Sequence, residues 1–228
     1  MKIENQAVLF ALLCKHTVEA HGEEGREVIQ EGMIRYGRER GARMAARAEA
    51  NGDPKELWVE QAYGEWKPDY DGQMVFGYEQ NEPKLISYIS KCAWCEAWKK
   101  YDLLEYGREY CVNVDNAVFE GFCSDWHCES VGSPMSWGGE RCVFDWGLPV
   151  SREDVAKMQA KKAELGTSAM EDFDFHTAHI YYTITNTIKE HYAGEDADEI
   201  IAKAMADFTA LFGEDAEKRI YDFSETGF

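Results

Sequence analysis

At 228 residues, with 45% hydrophobic and 29% charged content, the chain is long enough to bury a core without disulfides. Its 43 acidic residues against 24 basic ones give a net charge of −19, which argues against nucleic acid and against anionic membranes as partners. An anionic small molecule stays compatible, because one inward-pointing arginine holds a carboxylate inside an acidic protein.

The opening "AVLFALLCKHTVEAHG" predicts a helix that stops at Gly22. Its apolar run is short of the roughly 18 residues a membrane span needs, and no basic start or cleavage site marks a signal peptide. A cytoplasmic location is the expectation. The next stretch, "EEGREVIQEGMIRYGRERGARMAARAEANG", predicts a second helix with Val28, Ile29, Met33 and Tyr36 on its apolar stripe. In the middle of the chain "QMVFGYEQ" and "KLISYISK" flank Asn81-Glu82-Pro83, which predicts a strand hairpin. "CAWCEAWKKYDLLEYG" and "EYCVNVDNAVFEGF" predict two helices ending at Gly107 and Gly121. "WHCESVGSPMSW" and "RCVFDWGL", parted by Gly138-Gly139, predict a second strand pair. "SREDVAKMQAKKAELG" predicts a polar connecting helix, and two further helices stop at Gly194 and Gly213.

The resulting order, ββααββ between helical arms, predicts an α+β fold with a central antiparallel sheet and helices on one face. We expect one domain, with an N-terminal helical arm over 1–66, a core over 67–150 and a C-terminal arm over 151–228. Apolar stripes on the arms make a homodimer an expectation. A shift of 172 positions lays Gly22 on Gly194, Met33 on Met205 and Tyr36 on Phe208. Either a helical hairpin is duplicated, or two amphipathic helices after a glycine look alike.

Seven cysteines are present, and six fall between Cys92 and Cys142. An odd, clustered set predicts metal ligands, catalytic thiols or buried residues rather than a disulfide framework. On the second central helix Cys111, Asp115 and Phe119 recur every four residues, placing thiol, carboxylate and ring on one face. A buried carboxylate is costly without a partner, so this face is a candidate site; a solvent-facing Asp115 is the alternative. Cys92 and Cys95 have CxxC spacing, and with Cys128 and Cys142 they form a candidate zinc set. His127 is the histidine of this central segment. Five tryptophans between Trp94 and Trp146, Trp137 among them, supply either a rigid lining or core packing. No GxGxxG, GxxxxGK[ST] or GxSxG occurs, so common nucleotide folds and serine hydrolases get no support.

The segment "KCAWCEAWKKYDLLEYGREYCVNVDNAVFEGF", followed by "GGERCVFDW", resembles the L-2-amino-thiazoline-4-carboxylic acid hydrolase family. The resemblance rests on Tyr110-Cys111, Asp115, Gly121-Phe122 and the run from Gly139 to Phe144. Members often carry Asn-Pro after the Gly-Phe, where this chain has Cys123-Ser124 and adds His127-Cys128. The ββααββ order is also similar to 4-vinyl-reductase-type small-molecule-binding domains. The resemblance implies hydrolytic opening of a cyclic amidine at a carbon bearing nitrogen and sulfur. It makes Cys111 or Cys142 the candidate nucleophile, Asp115 the acid or orienting group, and His127 the candidate base. Trp94, Phe119, Cys128 and Trp137 are the candidate substrate-binding residues. Arg141 is the arginine nearest in sequence, but it alternates with Cys142 on a strand and is expected to face away. No cofactor is expected on this reading. The alternatives are a zinc-stabilised binding module without catalysis, and an isomerase or lyase on the same scaffold.

Overall fold

Helix α1 runs from Ile3 to Ala50 and leaves helical backbone at one residue inside it, Gly22 (φ 63°, ψ −131°). The sequence predicts a stop there; the chain instead bends and resumes its helix at once, in a conformation that suits a residue without a side chain. The computed structural model describes residues 1–223 and 228, so 224–227 of the predicted C-terminal arm lie outside the described residues. After α1 come α2 (Leu57–Ala62), β1 (Val75–Gln80), β2 (Ile86–Lys91), α3 (Ala93–Lys100), α4 (Leu104–Gly107) and α5 (Tyr110–Phe122). Then follow β3 (Glu129–Val131), β4 (Cys142–Asp145), α6 (Arg152–Leu165), α7 (Phe173–His191), α8 (Glu195–Phe212) and α9 (Glu214–Tyr221). Among the described residues no helix is long and apolar enough to cross a membrane.

The fold is α+β, with a four-stranded antiparallel sheet in the order β1-β2-β4-β3. Both strand pairs lie where the alternating pattern places them. The single helix expected over 92–107 is two, because Asp102 takes a left-handed conformation (φ 57°) between α3 and α4. Gly107 closes α4 where the Trp98 ring occupies the space a side chain would need.

The chain divides into two compact units. The first gathers Met1–Tyr36, Ala93–Val114 and Asp172–Phe228; the second gathers Gly37–Cys92 and Asp115–Glu171. These boundaries cut across the expected arms and core, and α1 and α5 each contribute residues to both units.

The first unit is helical, with Phe10, Leu13, Ile29, Met33, Ile184 and Phe208 in its core. Gln6 is a buried polar side chain of this unit that is satisfied locally. Gln6 Nε2 donates to the Tyr36 hydroxyl (2.8 Å) and the His176 carbonyl (3.1 Å), while its Oε1 accepts from Trp94 Nε1 (3.0 Å). Gly194, which precedes α8, has φ 65° and ψ −131°, the conformation of Gly22 almost to the degree.

The second unit holds the sheet. Ile89 pairs with Cys142 and Ser87 with Phe144, so Cys142 and Phe144 face the same way. They bury against Phe119 of α5 and Leu57 of α2. Arg141 faces the opposite side, as alternation requires, and there pairs with Glu79 and lies over the Tyr88 ring. A neighbouring cluster joins Met44 and Ala48 of α1, Trp58 and Val59 of α2, Phe122 of α5 and Met158 of α6. Within this unit α1 and α5 approach backbone to backbone. A Cβ on Gly41 would collide with the Val118 carbonyl, and one on Gly121 with the Arg38 carbonyl. That close crossing sets Arg40, next to Gly41, beside α5.

Candidate active site

Arg40, Arg43 and Arg47 recur at i, i+3 and i+7 and so share one face of α1. All three reach Glu65, whose side chain has no exposed surface. Arg43 donates from Nε to Oε1 (2.7 Å) and from Nη2 to Oε2 (3.0 Å); Arg47 Nη1 and Arg40 Nε follow at 3.2 and 3.4 Å. Arg47 also donates to the Ala169 carbonyl (2.9 Å) and pairs with Glu171. A buried carboxylate survives because these charge-assisted bonds replace its water.

Arg40 has a second set of acidic neighbours. Glu60 lies on α2 between Val59 and Gln61, is only 5% exposed, and accepts a hydrogen bond from Gln61 Nε2 at 2.6 Å. Burial pushes its carboxyl up to about 7; the Gln61 bond and the charges of Lys162 and Arg40 pull it back, while Asp115 pushes it further. Asp115, on α5, is half-buried by surface area, yet its carboxyl is enclosed well enough that burial lifts it to about 6, with Arg40 opposing. The Cys128 thiol is pushed well above its ordinary value by burial and then by Asp115 and Glu60. Its backbone N–H donates to Asn116 Oδ1 (2.9 Å), which ties the residue before β3 to α5. Burial thus lifts both the Glu60 and the Asp115 carboxyl above the usual carboxylate range, with Arg40 opposing in each case.

The structure places the residues singled out in the sequence in three settings. Asp115, Phe119, Cys128 and Cys142 belong to the second unit, and the last three pack in one apolar cluster. Phe119 is fully buried with its ring against Trp126 and Trp146, and the Cys142 sulfur accepts the Met135 N–H at 3.4 Å. His127 is 62% exposed, its ring 3.9 Å from Glu120 and 3.7 Å from Glu129, and Trp137 is also exposed. Cys111 and Trp94 belong to the first unit. There Cys111 is half-buried, and Trp94 is buried and donates to Gln6. Of the candidate zinc set, Cys95 lies in the first unit and Cys92, Cys128 and Cys142 in the second. Among the described residues no three His, Cys, Asp or Glu side chains are grouped to hold a metal ion.

Glu60 and Arg40 went unnoticed in the sequence. Each left a trace. Glu60 is the acidic residue inside the apolar helix "LWVEQA", and Arg40 opens the i, i+3, i+7 arginine register of "RERGARMAAR".

The protein is α+β, and burial holds two of its carboxyls above the usual range, a perturbation common at functional sites and also found in structural networks. The chain belongs to the L-2-amino-thiazoline-4-carboxylic acid hydrolase family, whose model matches residues 1–146, and at that level it is a hydrolase of a small heterocycle. The matched span contains Arg40, Glu60, Asp115, Cys128 and Cys142. No curated protein and no solved structure gave a match.

Proposed function

We propose that the protein hydrolyses a small cyclic amidine or thiazoline-type ring, at the carbon flanked by nitrogen and sulfur, with Asp115 as an acid–base group. One observation carries the reading: the family match spans residues 1–146 and so includes Asp115, whose carboxyl burial lifts to about 6, with the charge of Arg40 opposing. A carboxyl titrating near the working pH both takes and gives protons efficiently, and ring opening needs both acts. Phe119, Cys128 and Cys142 supply an apolar wall for the ring. Arg40 supplies the guanidinium for a substrate carboxylate, the role that the acidic composition leaves to an inward arginine. An odd, clustered set of seven cysteines fits action in the cytoplasm better than a disulfide framework would.

The test is a ring-opening screen of 2-amino-thiazoline-4-carboxylate, related thiazolines and hydantoins, with release of a thiol or of an open-chain urea as the readout. Turnover by the wild type, lost in a folded Asp115→Asn variant, is the expected result. Folded wild-type protein that opens none of these rings refutes the reading.

A further inference from the structure

The arginine cage around Glu65 does something that apolar packing cannot. Hydrocarbon side chains of similar volume hold helices together as well as a buried ion cluster does, without its desolvation cost. They do not supply a fixed positive charge. The cage sets three guanidiniums against two carboxylates, Glu65 and Glu171, so its own members leave one positive charge in excess. That excess stands inside a chain whose net charge is −19.

The three arginines are not held alike. Arg43 takes both Glu65 oxygens, at 2.7 and 3.0 Å. Arg47 reaches Glu65 at 3.2 Å, donates to the Ala169 carbonyl and pairs with Glu171. Arg40, the most buried of the three, meets Glu65 from Nε at 3.4 Å. A guanidinium is rigid and planar, so a contact at Nε sets the plane of the whole fork. The Nη1–Nη2 edge of that fork matches the two oxygens of a carboxylate. Both ends of the contact are pinned by backbone. Gly41, next to Arg40, crosses α5 so closely that a Cβ would strike the Val118 carbonyl. The Glu65 carbonyl accepts the Glu171 N–H at 2.8 Å, which ties the residue beyond α2 to the segment beyond α6.

We propose that Glu65 is a positioning residue: with Arg43 and Arg47 it fixes the Arg40 guanidinium as the anchor for a carboxylate on the substrate ring. This rests on the hydrolase reading above and narrows its substrate class to rings that carry a carboxylate. Arg43 fixes Glu65, Glu65 fixes Arg40, and Arg40 takes the anion. Arg40→Lys keeps the charge and loses the fork. Glu65→Gln keeps the shape and loses the charge that aims the fork.

The experiment measures thiol release from 2-amino-thiazoline-4-carboxylate and from 2-amino-thiazoline, which lacks the carboxylate. It uses wild type, Arg40→Lys, Glu65→Gln and the exposed control Arg38→Lys, with a urea unfolding curve for each. We expect Arg40→Lys and Glu65→Gln each to raise KM for the carboxylate substrate at least ~10-fold with kcat little changed. For the ring without the carboxylate, neither parameter should move more than ~3-fold, whereas a merely structural loss would move both substrates alike. Arg38→Lys should match wild type. Where Glu65→Gln does not fold, Arg43→Lys loosens the grip on both Glu65 oxygens and should show the same split between substrates.

Calorimetric titration with thiazolidine-4-carboxylate, whose ring has no amidine carbon to hydrolyse, reads the anchor apart from turnover. Binding to wild type at least ~10-fold tighter than to Arg40→Lys and Glu65→Gln supports it. Equal binding by all three, or none by wild type, overturns the anchor and leaves the hydrolase reading standing. Ring opening by wild type with the same KM for both substrates does the same. A wild type that opens neither ring overturns the hydrolase reading, and the titration still decides the anchor.

Discussion

Arg43 grips both oxygens of Glu65, Nε to Oε1 at 2.7 Å and Nη2 to Oε2 at 3.0 Å, where Glu65 itself has no contact with solvent. Arg47 and Arg40 complete the cage, and the Glu65 carbonyl accepts the Glu171 N–H at 2.8 Å. Removing the carboxylate strands buried guanidinium charge, so Glu65→Ala is expected to cost about 3–5 kcal/mol. The exposed pair of Arg38 and Glu120 gives the contrast; Arg38→Ala should cost less than about 1 kcal/mol. Urea unfolding of both variants at neutral pH checks the difference.

Enclosure of Glu60 has a thermodynamic sign. Its folded-state value, about 7, lies above the ordinary 4.5 of an unfolded glutamate, so the folded chain binds the proton more tightly. Stability is then lost as pH rises from the unfolded value through the folded one, and the full penalty is present above it. Glu60→Gln removes a penalty on the order of 3 kcal/mol at pH 8, and the gain should vanish by about pH 4. Urea curves at acidic, neutral and basic pH read this directly. A variant less stable than wild type at pH 8 would contradict the enclosure.

The Gly41–Gly121 crossing admits no side chain. Ala at either position pushes against backbone rather than against a yielding side chain, so each substitution should destabilise by about 1–3 kcal/mol. Because the crossing sets Arg40 close to α5, KM for an anionic substrate should also rise. Unfolding curves and steady-state kinetics on the folded fraction test both effects.

Thiol reactivity should follow burial and charge. Cys14 and Cys128 are buried and pushed well above their ordinary value, each by burial first and then by nearby carboxylates, Glu109 for Cys14 and Asp115 for Cys128. Cys92, Cys111 and Cys123 are only half-buried. Alkylation of native protein near pH 8, mapped by peptide mass spectrometry, should label the second group long before the first.

The sheet was legible because its signals are local. Asn81-Glu82-Pro83 and Gly138-Gly139 interrupt alternating runs where β1, β2, β3 and β4 begin and end, and Arg141 and Cys142 face opposite ways as period two demands. The break at Asp102 was not legible, because an aspartate in a left-handed conformation leaves no glycine to mark it. The bend at Gly22 was read as an end because sequence shows the special residue but not that helix resumes beyond it. Gly22 and Gly194 now share a backbone conformation, so the repeat at a spacing of 172 extends from residue type to dihedral angles. Within the site, Asp115 and Phe119 were visible from spacing on one helix. Glu60 was not, since its enclosure depends on α1, α5 and α6 closing over a six-residue helix far away in the chain.

The arginine cage around Glu65 gives this acidic chain an unusual tolerance. Ions in solution do not reach the Glu65 carboxylate, so sodium chloride screens the cage only weakly. The same ions damp the mutual repulsion of an envelope carrying a net −19. Brine should therefore firm this protein up rather than loosen it, and its melting temperature should climb with ionic strength.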